Sequence, residues 1–442
     1  MVRSNVRIVA SAAALVAAAS LASSTLFPAS AATPAQPGLF GSQDPTYDGV
    51  FRQSLALLAY DAAATTPPSA AVAWLTSQQC ADGGFQALRP TPTTPCTPSD
   101  PVGYTGEDTN STALAAAALT RLGRSSEAAK AVAWLENARA KDGGFPYFVG
   151  GSSDANSTAD VLLALNTVGA PASSTGPARA FLETLQVGCE GAATSEDGAF
   201  AFQDYGTGLV ANDAATLQSV VALSGSGLPV GPGTSTTATP RATCPTTVPA
   251  PPAIPSDRLG AGYVARLLDA YAGAVPQFDF SSGTRKPGTV SAGDTAWAVL
   301  ALSATGLGSA QRDAALATVQ KSAGAAADDD PGLLALAAMA TRAGGGATSA
   351  VTAYVARITT TMRAGASPTA TPTPTATPAP TSSTTDPGTA TATATAAATA
   401  TDPTLPPTGG SPLTPWLALL GALALAAGAA LVALTTSRGD HA

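Results

Sequence analysis

The chain has 442 residues, of which 45% are hydrophobic and only 11% charged, with a formal net charge of -8. That length holds one large domain plus accessory segments. Its acidic, charge-poor composition leaves no basic patch for nucleic acid or for an anionic membrane surface. The single histidine, His441, is the penultimate residue. The rest of the chain therefore has no Ser-His-Asp triad, no Cys-His nucleophile and no His-bearing zinc site.

The N-terminus carries Arg3 and Arg7, then an apolar run over 8–21, then Ala29-Ser30-Ala31. A positive start, a short apolar core and a small-x-small site predict a secretory signal peptide over 1–31. The ordered domain is expected over 40–365. It opens with an apolar helical stripe over 53–60, and a second helix over 70–79 ends in Asp82-Gly83-Gly84-Phe85. Asp108-Thr109-Asn110-Ser111-Thr112 then precedes an Ala/Leu helix over 113–122, with side chains suited to the free N–H groups of a helix start. Its partner, over 125–140, contains Trp134-Leu135 and ends in Asp142-Gly143-Gly144-Phe145.

The third pair starts at Asp154-Ala155-Asn156-Ser157-Thr158, pairs with 177–186, and ends in a decayed copy, Glu196-Asp197-Gly198-Ala199-Phe200. A further helix starts at Asn212-Asp213, followed by a Pro/Thr-rich insertion over 229–255. The pattern resumes over 263–271 and again at Gly293-Asp294-Thr295-Ala296-Trp297, and the last helices cover 311–321, 331–342 and 349–362. The expectation is an all-α domain of about six helix pairs, with no strand-like alternation of any length. Ala/Leu helices would form one ring and the Trp-Leu helices the other.

Beyond it, 366–404 is a Pro/Thr/Ala tract whose only charges are Asp386 and Asp402. This composition cannot bury a core, so a disordered, extended stalk is expected. Leu405-Pro406-Pro407-Thr408-Gly409 then precedes an uncharged apolar run over 416–434, long enough to span a bilayer, and Arg438 follows. This arrangement over 405–442 resembles the cell-wall sorting signal of Gram-positive surface proteins. The resemblance implies that a sortase cleaves after Thr408 and joins it to an amine of the peptidoglycan precursor. The single Arg of the tail departs from the usual basic end.

Four cysteines, Cys80, Cys96, Cys189 and Cys244, all lie on the exported side. An even count in an oxidising compartment predicts two disulfides. Of three possible connectivities, sequential pairing (Cys80 with Cys96, Cys189 with Cys244) is favoured.

The Trp-Leu helix followed by Asp-Gly-Gly-Phe, with Gln78 matched to the motif's Gln, resembles the prenyltransferase and squalene-cyclase repeat of the α/α toroid. The resemblance covers roughly 45–323. It implies inner helices lining a central cavity and motif aromatics bracing the outer ring. The protein-prenyltransferase branch needs a zinc ligand His that is missing here. The cyclase branch's Asp-x-Asp-Asp is met only by Asp328-Asp329-Asp330, which reads as a helix cap before Pro331. Gly188-Cys189-Glu190-Gly191 only grazes the thioester motif of a third relative. No cofactor and no metal are expected.

Asp108, Asp154, Asp213 and Asp294 recur at the starts of the predicted inner helices, as caps or as an acidic cavity rim. Three readings follow. The first is an exported, wall-anchored surface protein displaying a non-catalytic toroid that binds an unknown surface ligand. The second is an extracellular hydrolase or lyase acting on polysaccharide or lipid through those aspartates. The third is a cobalamin-type carrier, for which a second, β-rich domain is missing.

Overall fold

Twelve helices alternate between two concentric rings among the described residues of the computed structural model, 36–188, 195–241, 254–279, 284–325 and 330–364. The predicted signal segment, Cys189, Cys244, the Pro/Thr tract, Leu405 to Gly409 and the apolar run 416–434 lie outside them. Among the described residues no helix is long and apolar enough to cross a membrane.

The inner helices are α1 (Gly49–Ala62), α3 (Thr109–Arg121), α5 (Ala155–Val168), α7 (Asp213–Leu223), α9 (Ala292–Thr305) and α11 (Pro331–Ala343). The outer ones are α2 (Ser69–Ser77), α4 (Ser125–Ala138), α6 (Ala172–Thr184), α8 (Ser256–Ala270), α10 (Ser309–Ala325) and α12 (Thr348–Thr360). Each inner helix packs on the inner helices before and after it, and α11 returns to α1. Six helices so joined close a ring. An outer helix carries the chain back between successive inner ones, so all six inner helices run parallel. Their N-termini share one face of the toroid and their C-termini the other.

The expected absence of strands needs correcting. β1 (Phe200–Ala201) pairs with β2 (Ala211–Asn212), and β3 (Gln277–Asp279) with β4 (Thr284–Lys286), both antiparallel. Both hairpins are too short for period-two patterning to show in the sequence. They sit in the segments that lead into α7 and α9.

The resemblance implied a central cavity, but the ring is filled. All eleven residues from Thr109 to Leu119 of α3 are buried, and Ala113 to Leu119 are 0% exposed. Eleven residues make three turns and so point in every direction, the ring axis included. Leu334 to Ala340 of α11, Val161 to Leu165 of α5 and Ala298 to Leu302 of α9 are buried to the same degree. Over these stretches no residue has surface that water can reach. Alanine permits this, since its small side chain lets six backbones approach until the bore closes.

The Asp-Gly-Gly-Phe motif is a corner brace. Phe85, Phe145 and Phe200 are fully buried. Their N–H groups donate to Thr112, Thr158 and Thr216 Oγ1 at 2.9, 2.9 and 2.8 Å. Thr112 and Thr216 donate in turn to the carbonyls of Asp108 and Asn212 at 2.7 Å. The threonine four residues after each cap thus ties an inner helix to the corner before it. Gly143 has φ +89°, and a Cβ there would stand 2.8 Å from the Pro177 carbonyl oxygen of α6. Both its backbone angle and the close approach of α6 require glycine.

The motif's Gln is Gln79, not Gln78. Gln79 Nε2 donates to the carbonyls of Gly83 and Glu127, and Gln186 makes the matching bonds to Gly198 and Ser256. Gln78 instead accepts from the Arg89 N–H. Two further copies of the brace carry too little of the motif to be read from sequence. Phe40 donates its N–H to Gln53 Oε1, and Val275 donates to Thr295 Oγ1. The Phe40 copy also closes the ring. Gly38 N–H donates to the Arg363 carbonyl, Arg363 N–H to Leu39, and Arg363 Nε to Gly41.

Candidate functional site: the N-terminal face of the toroid

With the bore filled, chemistry-bearing residues concentrate where the inner helices begin. Asp108 and Asp154 are true N-caps, accepting from the Ser111 and Ser157 N–H groups at 2.7 and 2.8 Å. Asp213 and Asp294 are not. The cap of α7 is Asn212, and that of α9 is Ser291. Asp294 follows as the third helical residue and accepts from Ser291 Oγ at 2.7 Å, a reciprocal capping arrangement. Asp330 caps α11 ahead of Pro331, accepting from the Leu333 N–H at 3.0 Å. Asp328 and Asp329 lie outside the described residues.

Asp213 is the first residue of α7 and holds a strap. Arg285 of β4 reaches it with Nε at 2.8 Å and Nη2 at 2.9 Å, while Tyr263 Oη donates to it at 2.6 Å. This two-pronged contact fixes the β3–β4 hairpin over the start of α7. Burial and the Asp213 charge push the Tyr263 phenol far up, and the hydrogen bonds to Asp213 hold Arg285 firmly charged.

Burial dominates the electrostatics of the other carboxyls. It pushes Asp108 and Asp154 up to about 7 against the pull of their capped N–H groups, and Asp294 up to about 6. Asp160, in α5, is 1% exposed and raised well above the usual range by burial and by Asp154 and Asp108. Its Oδ1 has no hydrogen-bond partner. The Tyr147 phenol is raised by burial and by the charges of Asp108, Asp160 and Asp154. Asn156 donates to Gln218 Oε1 at this level.

Glu107, missed in the sequence, is pushed up to about 8 by burial and by its hydrogen bond with Asp82. The neighbouring repeat explains it. There Ser153 Oγ donates to Asp142 Oδ1 at 2.9 Å. Glu107 fills the place of that serine, so it can donate to Asp82 only while it carries a proton. The sequence signal was a glutamate before the Asp108 cap where the next copy has serine. The adjacent Cys80 and Cys96 form a disulfide with Cα atoms 5.7 Å apart. Their sulfurs, though close to Glu107, are thus not thiolate ligands.

The same face carries every exposed large hydrophobic residue among those described. Tyr47 leads into α1, Val102 and Tyr104 into α3, Tyr205 and Val210 into α7, Phe278 and Val290 into α9. Tyr205 is 58% exposed and Tyr47 57%. The leading segments join laterally. Val149 N–H donates to Ser99 Oγ, Gln203 Nε2 to the Ser153 carbonyl, and Ala155 N–H to the Phe202 carbonyl. The Tyr104 and Phe148 rings meet edge to face at 6.2 Å.

No protein family and no curated protein matches the sequence. Solved structures resemble it distantly. A protein from Actinoplanes matches at 17% identity and a TM-score of 0.39, over 65% of this chain and 76% of the other. A type II terpene cyclase from Scytonema matches at 13% and 0.35, over 61% and 68%. The Candida albicans protein geranylgeranyltransferase-I matches at 14% and 0.26, over 38% of this chain and 48% of that one.

Proposed function

We propose that the chain is an exported surface protein, anchored through Leu405 to Gly409 to peptidoglycan by a sortase, whose toroid binds a ligand without transforming it. The observation that carries the non-catalytic half is the filled ring. Eleven successive buried residues of α3 leave no bore to receive a lipid or sugar. The raised carboxyls are caps and buried partners. Asp108 and Asp154 are 1% and 3% exposed, too enclosed to meet a substrate. Perturbed values of this kind accompany structural burial as well as catalysis. The anchoring half rests on the order of motif, apolar run and Arg438 in the sequence.

Muralytic digestion of the cell wall is expected to release the protein with Thr408 amide-linked to a peptidoglycan fragment. Recovery only in detergent, with 409–442 still attached, would show a plain membrane anchor. For the toroid, Asp294→Ala is expected to leave any ligand affinity unchanged. Turnover of a polysaccharide or lipid that this substitution abolished, at an unchanged melting temperature, would establish the hydrolase reading instead.

A further inference from the structure

Three leading segments repeat one pairing that helix capping does not require. Tyr47 follows Asp44, Tyr104 follows Asp100, and Tyr205 follows Asp204, and all six residues are exposed. In each pair the aspartate is fixed by a turn through Oδ1 alone. Asp44 Oδ1 accepts from Thr46 N–H, Asp100 Oδ1 from the Val102 and Gly103 N–H groups, and Asp204 Oδ1 from Gly206 N–H. An exposed carboxylate held on one oxygen, one to four residues before an exposed phenol ring on the same segment, offers a charge partner and a π face to one incoming segment.

The charge around these pairs has one sign in excess. On the face itself the exposed Asp44, Asp100 and Asp204 take part in no ion pair among the described residues, while burial holds Asp108, Asp154 and Asp160 beneath it toward their neutral forms. The opposite face is the internal control. Its five short turns, 63–68, 122–124, 169–171, 306–308 and 344–347, and the long connection 224–255 contain no Asp and no Glu, and none carries an exposed large hydrophobic residue among those described.

The geometry points to the N-terminal face as a docking surface for a polypeptide segment bearing Lys or Arg beside apolar residues. This rests on the non-catalytic reading above and names its partner class. Charge complementarity selects the occupant. An acidic, tyrosine-bearing face repels nucleic acid and other polyanions, steers cations toward it, and gives each cation a ring to stack on. A neutral glycan would use the rings and leave the carboxylates without a role.

The test uses the exported chain 32–408 and a fluorescein-labelled peptide repeating Lys-Leu-Gly-Ser. Matched peptides carry Gln or Glu in place of Lys. Saturable binding of the Lys peptide alone is expected, weakened by added salt and about tenfold by Tyr47→Ala with Tyr205→Ala, with the melting temperature unchanged. Because both rings are exposed, loss of folding would not account for the loss of binding. Binding equal in the Tyr variants would reduce the face to diffuse charge and overturn the proposal. So would preference for the Gln peptide or a neutral glucan, self-association in sedimentation relieved by the same substitutions, or Lys-peptide binding that appears only when 366–404 is deleted. Turnover at this face would sink the non-catalytic reading; no turnover and no Lys-peptide binding would sink the partner class alone.

Discussion

The two faces of the toroid are built from the ends of the same six helices and share little else. At the C-terminal face the chain turns within a few residues, as at 122–124 and 306–308, except for the long connection 224–255 between α7 and α8, and helix ends are closed by the backbone. Gly169 and Gly306 take left-handed conformations after α5 and α9. At the N-terminal face most segments are long, and side chains do the closing: Asp108, Asp154, Asn212, Ser291 and Asp330. Helix chemistry accounts for that much, since free N–H groups need acceptors and parallel dipoles favour anions at their starts. It does not account for exposed tyrosines on three leading segments. That surplus over what helix ends need is the observation on which the proposed docking surface rests.

The sharpest way to break the account is at the corners that hold the two rings together. Phe145→Ala is expected to lose roughly 3–5 kcal/mol, read as a large drop in melting temperature. Gly143→Val is expected to fall in the same direction, because its Cβ would meet the Pro177 carbonyl at 2.8 Å in a left-handed backbone. Mild loss in both would mean the motif is not the brace. Next in size is the disulfide. Cys80→Ser with Cys96→Ser opens a loop of 16 residues, worth about 3 kcal/mol on the loop-entropy model, and is measurable by urea denaturation.

A third test uses pH. Glu107, Asp108, Asp154 and Asp294 are raised to about 8, 7, 7 and 6, from 4.5 for the Glu and 3.8 for the aspartates. Folding therefore favours their protonated forms. The stability they contribute is complete below pH 4 and is lost progressively as pH rises toward 8. Urea midpoints are expected to fall between pH 5 and pH 8, and Glu107→Gln to flatten the upper part of that fall. A midpoint rising over the range would contradict the buried, protonated reading. The smallest effects separate helix closure from exposed surface within the N-terminal face. Asp108→Ala is expected to lose ~1 kcal/mol as a cap, whereas Tyr47→Ala is expected to stay within about 0.5 kcal/mol.

Much of this architecture was legible because it is written in repeats. Phe85 and Phe145 follow Asp-Gly-Gly in plain copies, and the caps Asp108 and Asp154 precede identical Asn-Ser-Thr runs. What was illegible depended on geometry across the ring. The Phe40 corner closes the toroid through Arg363, at the far end of the domain, which no local pattern pairs with it. Asp294 lies three residues inside its helix, because Ser291 competes for the cap and wins. Glu107 carries no local sign of its role, which only the matching place of Ser153 in the next repeat reveals. The filled bore was also hidden. An Ala-rich helix reads the same whether its inner face meets water or another helix.

That last point decides where function can reside, and a substitution series along α3 addresses it. Each of Ala113, Ala115, Ala116, Ala117 and Ala118, all 0% exposed, is replaced singly by Leu and followed by urea denaturation. With the bore filled, every position is expected to lose about 1–3 kcal/mol from overpacking, whichever way it faces. Tolerance or gain at positions three or four apart, the spacing of one helix face, would reveal an open lumen and contradict the account.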